Sequence, residues 1–159
     1  MSMPTPDISL DELDKRILDA LQDNASRTNQ ELAELVHASA PTCLRRVKRL
    51  TDEGVIARQV ALLDAAKVGA GLTAIVEITL DVQNSESLSA FEQLVAKDTA
   101  VQQVYRVSPG PDFVLVMQVA DMDAYHALAH RLFANQTNVR NVRSFFSVFR
   151  SKFETRIAV

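Results

Sequence analysis

The sequence predicts an α+β protein in two parts: an N-terminal winged helix-turn-helix followed by a ferredoxin-like βαββαβ domain. Three observations carry that prediction. Capped segments with helical apolar spacing fill the first third of the chain. A glycine-bearing break follows over residues 64–71. Beyond it, period-two alternation and helical spacing succeed one another in the order strand, helix, strand, strand, helix, strand.

Residues 1–9, with two prolines, read as a disordered lead, and residues 10–63 as the first domain. The first helix is expected over 11–23, capped by Ser9 or Asp11, with Leu13, Ile17, Leu18 and Leu21 on its apolar side. Thr28 to Glu31 is a capping-box pattern for a second helix, whose stripe is Leu32, Leu35 and Val36. His37-Ala38 is the short connection of a helix-turn-helix. The third helix starts at Ser39, tolerates Pro41 in its first turn and stops at Gly54. Residues 54–60 read as the wing strand, and 64–71 as the linker.

Residues 72–159 form the second domain. A strand over 72–82 alternates Ala74, Val76, Ile78 and Leu80 inward, and a helix over 87–96 turns Leu88, Phe91, Leu94 and Val95 inward. Strands at 101–108 and 113–119 flank the turn Pro109-Gly110-Pro111-Asp112, a helix spans 122–133, and a strand closes at 139–149. Two helices can shield one face of a four-stranded sheet, so the other is expected to pack on a second subunit. Phe145, Phe146, Phe149 and Phe153 crowd the end of the chain, and some of them are assigned to that packing.

The third helix is the segment that points to chemistry. On a helical wheel Thr42, Arg45, Arg46 and Arg49 fall together, while Cys43, Leu44, Val47 and Leu50 cover the opposite side. A cationic run is often only a solvated face, but Arg45, Arg46, Lys48 and Arg49 have no acid among them for spacing-matched pairs. The whole chain carries a formal charge of −3, so it is not a general polyanion binder. Such a localised patch suits a reader of DNA, which needs phosphate contacts to hold it and a few side chains to inspect bases.

A single cysteine, Cys43, excludes an intrachain disulfide framework and suits a reducing compartment, and its place on the core side marks it as structural rather than redox-sensing. No window has the length of a membrane span and no signal peptide is apparent, which together predict a cytoplasmic protein without a membrane partner. The competing class is a small enzyme on the ferredoxin-like half. His126 and His130, four apart on one helix with Asp121 or Asp123 nearby, could hold zinc. Against it, no glutamate follows the first histidine, no third His or Cys lies close in sequence, and neither a Gly-rich phosphate loop nor a nucleophile elbow is present.

LDELDKRILDALQDNASRTNQELAELV followed by SAPTCLRRVKRL is similar to the DNA-binding half of the Lrp/AsnC (leucine-responsive and asparagine-regulator) family of transcriptional regulators. VALLDAAKVG leading into AIVEITL resembles that family's linker and first effector-domain strand, and VSPGPDFVLVMQVADMDAY stands at its effector loop. The resemblance runs from Leu10 to Val148. It implies a regulator without enzymatic activity or cofactor, binding a pseudo-palindromic duplex operator and a small-molecule effector, an amino acid or a relative of one. It further implies a homodimer that assembles to higher oligomers, up to an octamer. Carried onto this chain, the DNA-binding residues are Ser39, Pro41, Thr42, Arg45, Arg46, Lys48 and Arg49, and the effector-binding residues are Ser108, Gly110, Asp112 and Ser144. The loop departs from the family pattern: Pro109 and Pro111 each remove a backbone donor, and only Asp112-Phe113 matches cleanly. Asp112 is expected to take a ligand ammonium; the bland alternative is a tight turn.

Overall fold

Capping chemistry sets the first three helices of the computed structural model, which describes residues 8–159. Most of the expected lead, residues 1–7, lies outside the described residues. Helix α1 spans Glu12–Asp23 and α2 spans Asn29–Val36, and each opens on a reciprocal capping box, Asp11 with Asp14 and Thr28 with Glu31. Helix α3, Ala40–Asp52, is capped by Ser39 Oγ, which accepts the Thr42 amide at 3.3 Å. Between α2 and α3, His37 takes a left-handed φ of 54°, which closes α2 and turns the chain. Ile17, Leu32, Val36, Cys43 and Leu50 meet in the core of this unit. Full burial of each large aliphatic stabilises by about 1.5–3 kcal/mol.

Two side chains do not follow the wheel. Leu35 is exposed, so the apolar stripe of α2 is Leu32, Ala33 and Val36. Leu44 is 56% exposed and stands outward, not among the core residues of α3. The expected wing strand is also missing. Val55 and Ile56 pack on the helices and Ile56 donates its amide to Leu50 O, but residues 57–64 follow no regular pattern. A strand needs a ladder partner, and none lies beside this segment among the described residues.

The second unit is built on a four-stranded antiparallel sheet of order β2-β3-β1-β4, where β1 is Leu72–Leu80, β2 Val101–Arg106, β3 Phe113–Val119 and β4 Val139–Phe146. Helix α4, Ser85–Val95, follows β1, and α5, Met122–Ala129, follows β3, which gives the βαββαβ order. Helix α5 ends four residues before the expected boundary and continues as a π-helical turn, His130–Ala134, that buries Leu132 and Phe133. Alternation holds in the central strands: Ala74, Val76, Ile78 and Leu80 with Phe113, Leu115 and Met117 are buried under the helices. The other face carries Ile75, paired across the sheet with Val116 and Phe145, together with Tyr105, paired with Val114. Ile75, Phe145 and Tyr105 are exposed there.

The end of the chain packs apart from the sheet that precedes it. Residues 62–151 form the second unit, whereas Lys152–Val159 belong with the first, which runs to Ala61. The sequence places all of 72–159 in the second domain; the last eight residues instead return to α1. Gln22 holds Ile157 by a side-chain clamp, donating from Nε2 to its carbonyl at 2.9 Å and accepting its amide at 2.7 Å, and Arg156 pairs with Asp19 at 3.1 Å. Strand β4 stops at Phe146, so Phe149 and Phe153 lie beyond the sheet, both exposed.

Candidate functional site

Helix α3 presents its cations in two directions. Asp14 of α1 is fully buried, and its carboxylate accepts Arg46 Nη1 at 3.2 Å and Arg49 Nη2 at 2.5 Å. Arg46 Nη1 also reaches Asp11 Oδ2 at 2.7 Å, and Arg49 Nε lies 3.9 Å from Glu53. The backbone N–H of Asp14, then the Arg46 guanidinium, hold the Asp11 carboxyl below the usual carboxylate range, and Asp11 chiefly raises Arg46 in return. Arg46 and Arg49 are therefore the ionic tie between α1 and α3, each already neutralised by protein. Sequence spacing along α3 missed this because the acids sit some 35 residues earlier in the chain.

The outward stripe is Pro41, Leu44, Arg45 and Lys48, at spacings of three and four, and all four are exposed. Arg45 and Lys48 make no ion pair among the described residues. Thr42 is only half-exposed, and its hydroxyl pairs with Ser39 Oγ at 2.8 Å, so the two hydroxyls sit together at the helix N-terminus. A helix start with such groups can receive a phosphate. Cys43 is buried, and burial pushes its thiol pKa up, as fits a structural cysteine.

The four expected effector residues are not brought together. Ser144 lies in β4 opposite Val76, and its hydroxyl is taken by the Tyr125 hydroxyl of α5. Ser108, Gly110 and Asp112 lie in the loop on the other side of β1, with Gly110 at φ 121°, a conformation that favours glycine. Asp112 is largely committed to the fold. Its amide donates to Ile78 O at 2.9 Å, its carbonyl accepts from Val107 at 3.0 Å, and its Oδ2 accepts Leu80 N at 2.7 Å and Gln83 Nε2 at 3.2 Å. Oδ1 alone has no partner among the described residues, so the turn reading fits most of what Asp112 does.

Next to this knot is a cleft of about 610 Å³ that the sequence did not reveal. Its floor is Leu80, Phe91 and Leu94, and its rim carries Asp81, Ser87 and Asn138. The Asn138 side chain exchanges two hydrogen bonds with the Val82 backbone, which holds the rim in place. That size falls within the range of small-molecule sites. The signals are distributed over β1, α4 and the turn before β4, so no local motif announces them.

His126 and His130 are both exposed, and no group of three or more His, Cys, Asp or Glu side chains placed to hold a metal ion occurs among the described residues. Among the described residues the zinc-enzyme alternative therefore has no three-ligand group to draw on. No helix among the described residues is long and apolar enough to cross a membrane.

Comparison with known proteins agrees with both halves. Residues 10–57 match a winged helix-turn-helix DNA-binding family, and residues 73–157 match the Lrp/AsnC ligand binding domain. The chain is 34% identical over 150 residues to the DNA-binding transcriptional activator DecR of Escherichia coli K12, covering 94% of this chain and 99% of that protein. The crystal structure of an AsnC family transcriptional regulator from Agrobacterium tumefaciens superposes with a TM-score of 0.89 at 34% identity, covering 93% of this chain and 96% of that one. A transcriptional regulator from Neisseria meningitidis, solved as its L-Met complex, gives 0.88 at 30% identity, covering 94% and 96%. With a helix-turn-helix unit, a βαββαβ unit and relatives matched along nearly its whole length, the chain belongs to the Lrp/AsnC family of transcriptional regulators.

Proposed function

We propose that this regulator grips operator DNA through the outward stripe of α3, with Arg45 and Lys48 supplying the charge, and that an amino acid adjusts that grip. The observation that carries the proposal is the division of the cations: Arg46 and Arg49 are neutralised by Asp11 and Asp14, while Arg45 and Lys48 remain without counter-ions among the described residues. Free cations release condensed counter-ions when they meet phosphate; paired ones contribute far less. Ser39, Pro41 and Thr42 form the helix start that approaches the backbone. The protein acts on DNA in the cytoplasm, as a dimer and in larger assemblies. The open sheet face with Ile75, Phe145 and Tyr105 is the apolar surface that supports dimer packing. A two-fold dimer offers two α3 helices to a pseudo-palindromic site.

The effector is proposed to bind beside the loop rather than on Asp112 itself. The L-Met complex of the Neisseria relative favours an amino acid as the ligand class. In this chain the Asp81 carboxylate would meet the ammonium group, and the floor of Leu80, Phe91 and Leu94 would take an apolar side chain. Ligand and DNA influence one another only as far as the ligand favours one assembly or conformation.

Operator binding by Arg45→Ala, compared with the parent, tests the DNA half. Arg45→Ala is expected to bind at least tenfold more weakly with unchanged thermal stability; parent-like affinity would refute it. A thermal-shift screen over the amino acids tests the effector half. An apolar amino acid is expected to raise the melting temperature of the parent and not of Asp81→Asn.

A further inference from the structure

We propose that Leu44 is a specificity-determining residue that reads the 5-methyl group of a thymine in the operator. The inference rests on the reading of α3's outward stripe as the DNA-facing surface and adds a base contact to it. Cys43 and Leu50 of α3 are fully buried and Val47 packs on the same core. Leu44, unlike the other branched aliphatic residues of the helix, is turned out, 56% exposed, between Pro41 on one turn and Arg45 and Lys48 on the next. An exposed leucine is unremarkable on most surfaces. Its place here is what matters, because α3 begins at Ala40 and Leu44 therefore lies in its N-terminal half. That is the part of a recognition helix that meets base edges.

A leucine has neither donor nor acceptor, so it cannot distinguish bases by hydrogen-bond pattern. In the major groove of unmodified DNA the one apolar group offered by a base edge is the thymine methyl. Arg45 follows Leu44 directly and Lys48 lies one turn on, so phosphate contacts from these two would hold the leucine at a fixed depth in the groove. Removal of one methyl from such a contact is expected to weaken binding about fourfold. A two-fold dimer makes the contact twice, so its removal from both half-sites should cost about fifteenfold.

The test uses the full chain and duplexes that it selects from a random-sequence pool. Each thymine of the selected site is replaced in turn by deoxyuridine, which removes the methyl and leaves every hydrogen-bonding group. At one position per half-site the substitution should weaken the parent about fourfold, while Leu44→Ala binds the thymine and deoxyuridine duplexes equally. The proposal is overturned if the parent tolerates deoxyuridine at every position, or if Leu44→Ala keeps the parent's full discrimination. Because deoxyuridine changes only the DNA, the parent measurement stands even if Leu44→Ala folds poorly. Arg45→Ala on the same duplexes separates the two levels of the argument. Weakened Arg45→Ala with silent deoxyuridine removes only the Leu44 assignment; undiminished Arg45→Ala removes the reading of the stripe on which it rests.

Discussion

Replacing Asp14 by alanine should detach α3 from α1 without touching any outward residue. The carboxylate is fully buried and accepts the Asp11 amide at 3.1 Å, Arg46 Nη1 at 3.2 Å and Arg49 Nη2 at 2.5 Å. Hydrogen bonds to a charged group are each worth about 1.5–3 kcal/mol, but these share one acceptor and do not add. Breaking a buried ion pair costs about 3–5 kcal/mol. Both guanidiniums are partly exposed, 24% for Arg46 and 37% for Arg49, and regain water once released, so we place the loss at the lower end, about 3 kcal/mol. With a urea slope of about 1–1.5 kcal/mol per molar for a unit this small, the midpoint should fall by about 2 M or more. Both tyrosines, Tyr105 and Tyr125, lie in the second unit, so tyrosine fluorescence reports that unit while far-ultraviolet circular dichroism reports both. The predicted result is an early circular-dichroism transition with an unmoved fluorescence midpoint. A circular-dichroism midpoint within 0.3 M of the parent (about 0.4 kcal/mol at this slope) would show that the cluster contributes little and refute the reasoning.

Three other outcomes are expected. Cys43 is buried with its thiol pKa pushed up by desolvation, so a thiol reagent should label it only at the rate of unfolding; fast labelling of the native protein would place it elsewhere. Partial burial raises the Asp98 pKa, but the Ala100 amide and the Arg131 guanidinium outweigh it, leaving the folded value below the ordinary 3.8. Its contribution is thus complete above the unfolded value and is lost as pH falls through the folded one, so Asp98→Asn should flatten the stability profile below about pH 4. A profile parallel to the parent's would contradict that. Removing residues 152–159 should destabilise the first unit by about 1–2 kcal/mol through loss of the Gln22–Ile157 clamp and the Arg156–Asp19 pair, again with no shift in tyrosine fluorescence.

The fold was legible where local signals sufficed. Thr28 with Glu31, and Ser39 before Pro41, announced α2 and α3 because capping is a matter of a few adjacent residues. The alternation of Ala74, Val76, Ile78 and Leu80 identified β1 and its buried face for the same reason. The site was less legible, since direction on a helix depends on what it packs against. The cationic wheel groups Arg46 and Arg49 with Arg45, and only Asp11 and Asp14, at the cap and in the first turn of α1, reveal that the first two face protein. Leu44 was misplaced by the same wheel. It lies beside the boundary between the two faces, where hydrophobicity alone assigns it inward. The loop shows the converse limit: Asp112 matched a family motif, yet Leu80 N and Gln83, distant in sequence, already occupy one of its carboxylate oxygens.

The central claim is that α3 points Arg45 and Lys48 at DNA and Arg46 and Arg49 at its own fold. The most direct measurement is the salt dependence of operator binding for Arg45→Ala/Lys48→Ala beside the parent. Each phosphate that is no longer neutralised should reduce the slope of log K against log salt by about 0.9, so a dimer lacking both cations in each protomer should see its slope fall by about 2–4 with its folding midpoint unchanged. An unaltered slope in that variant, with the slope instead reduced in a folded Arg46→Ala, would contradict the account.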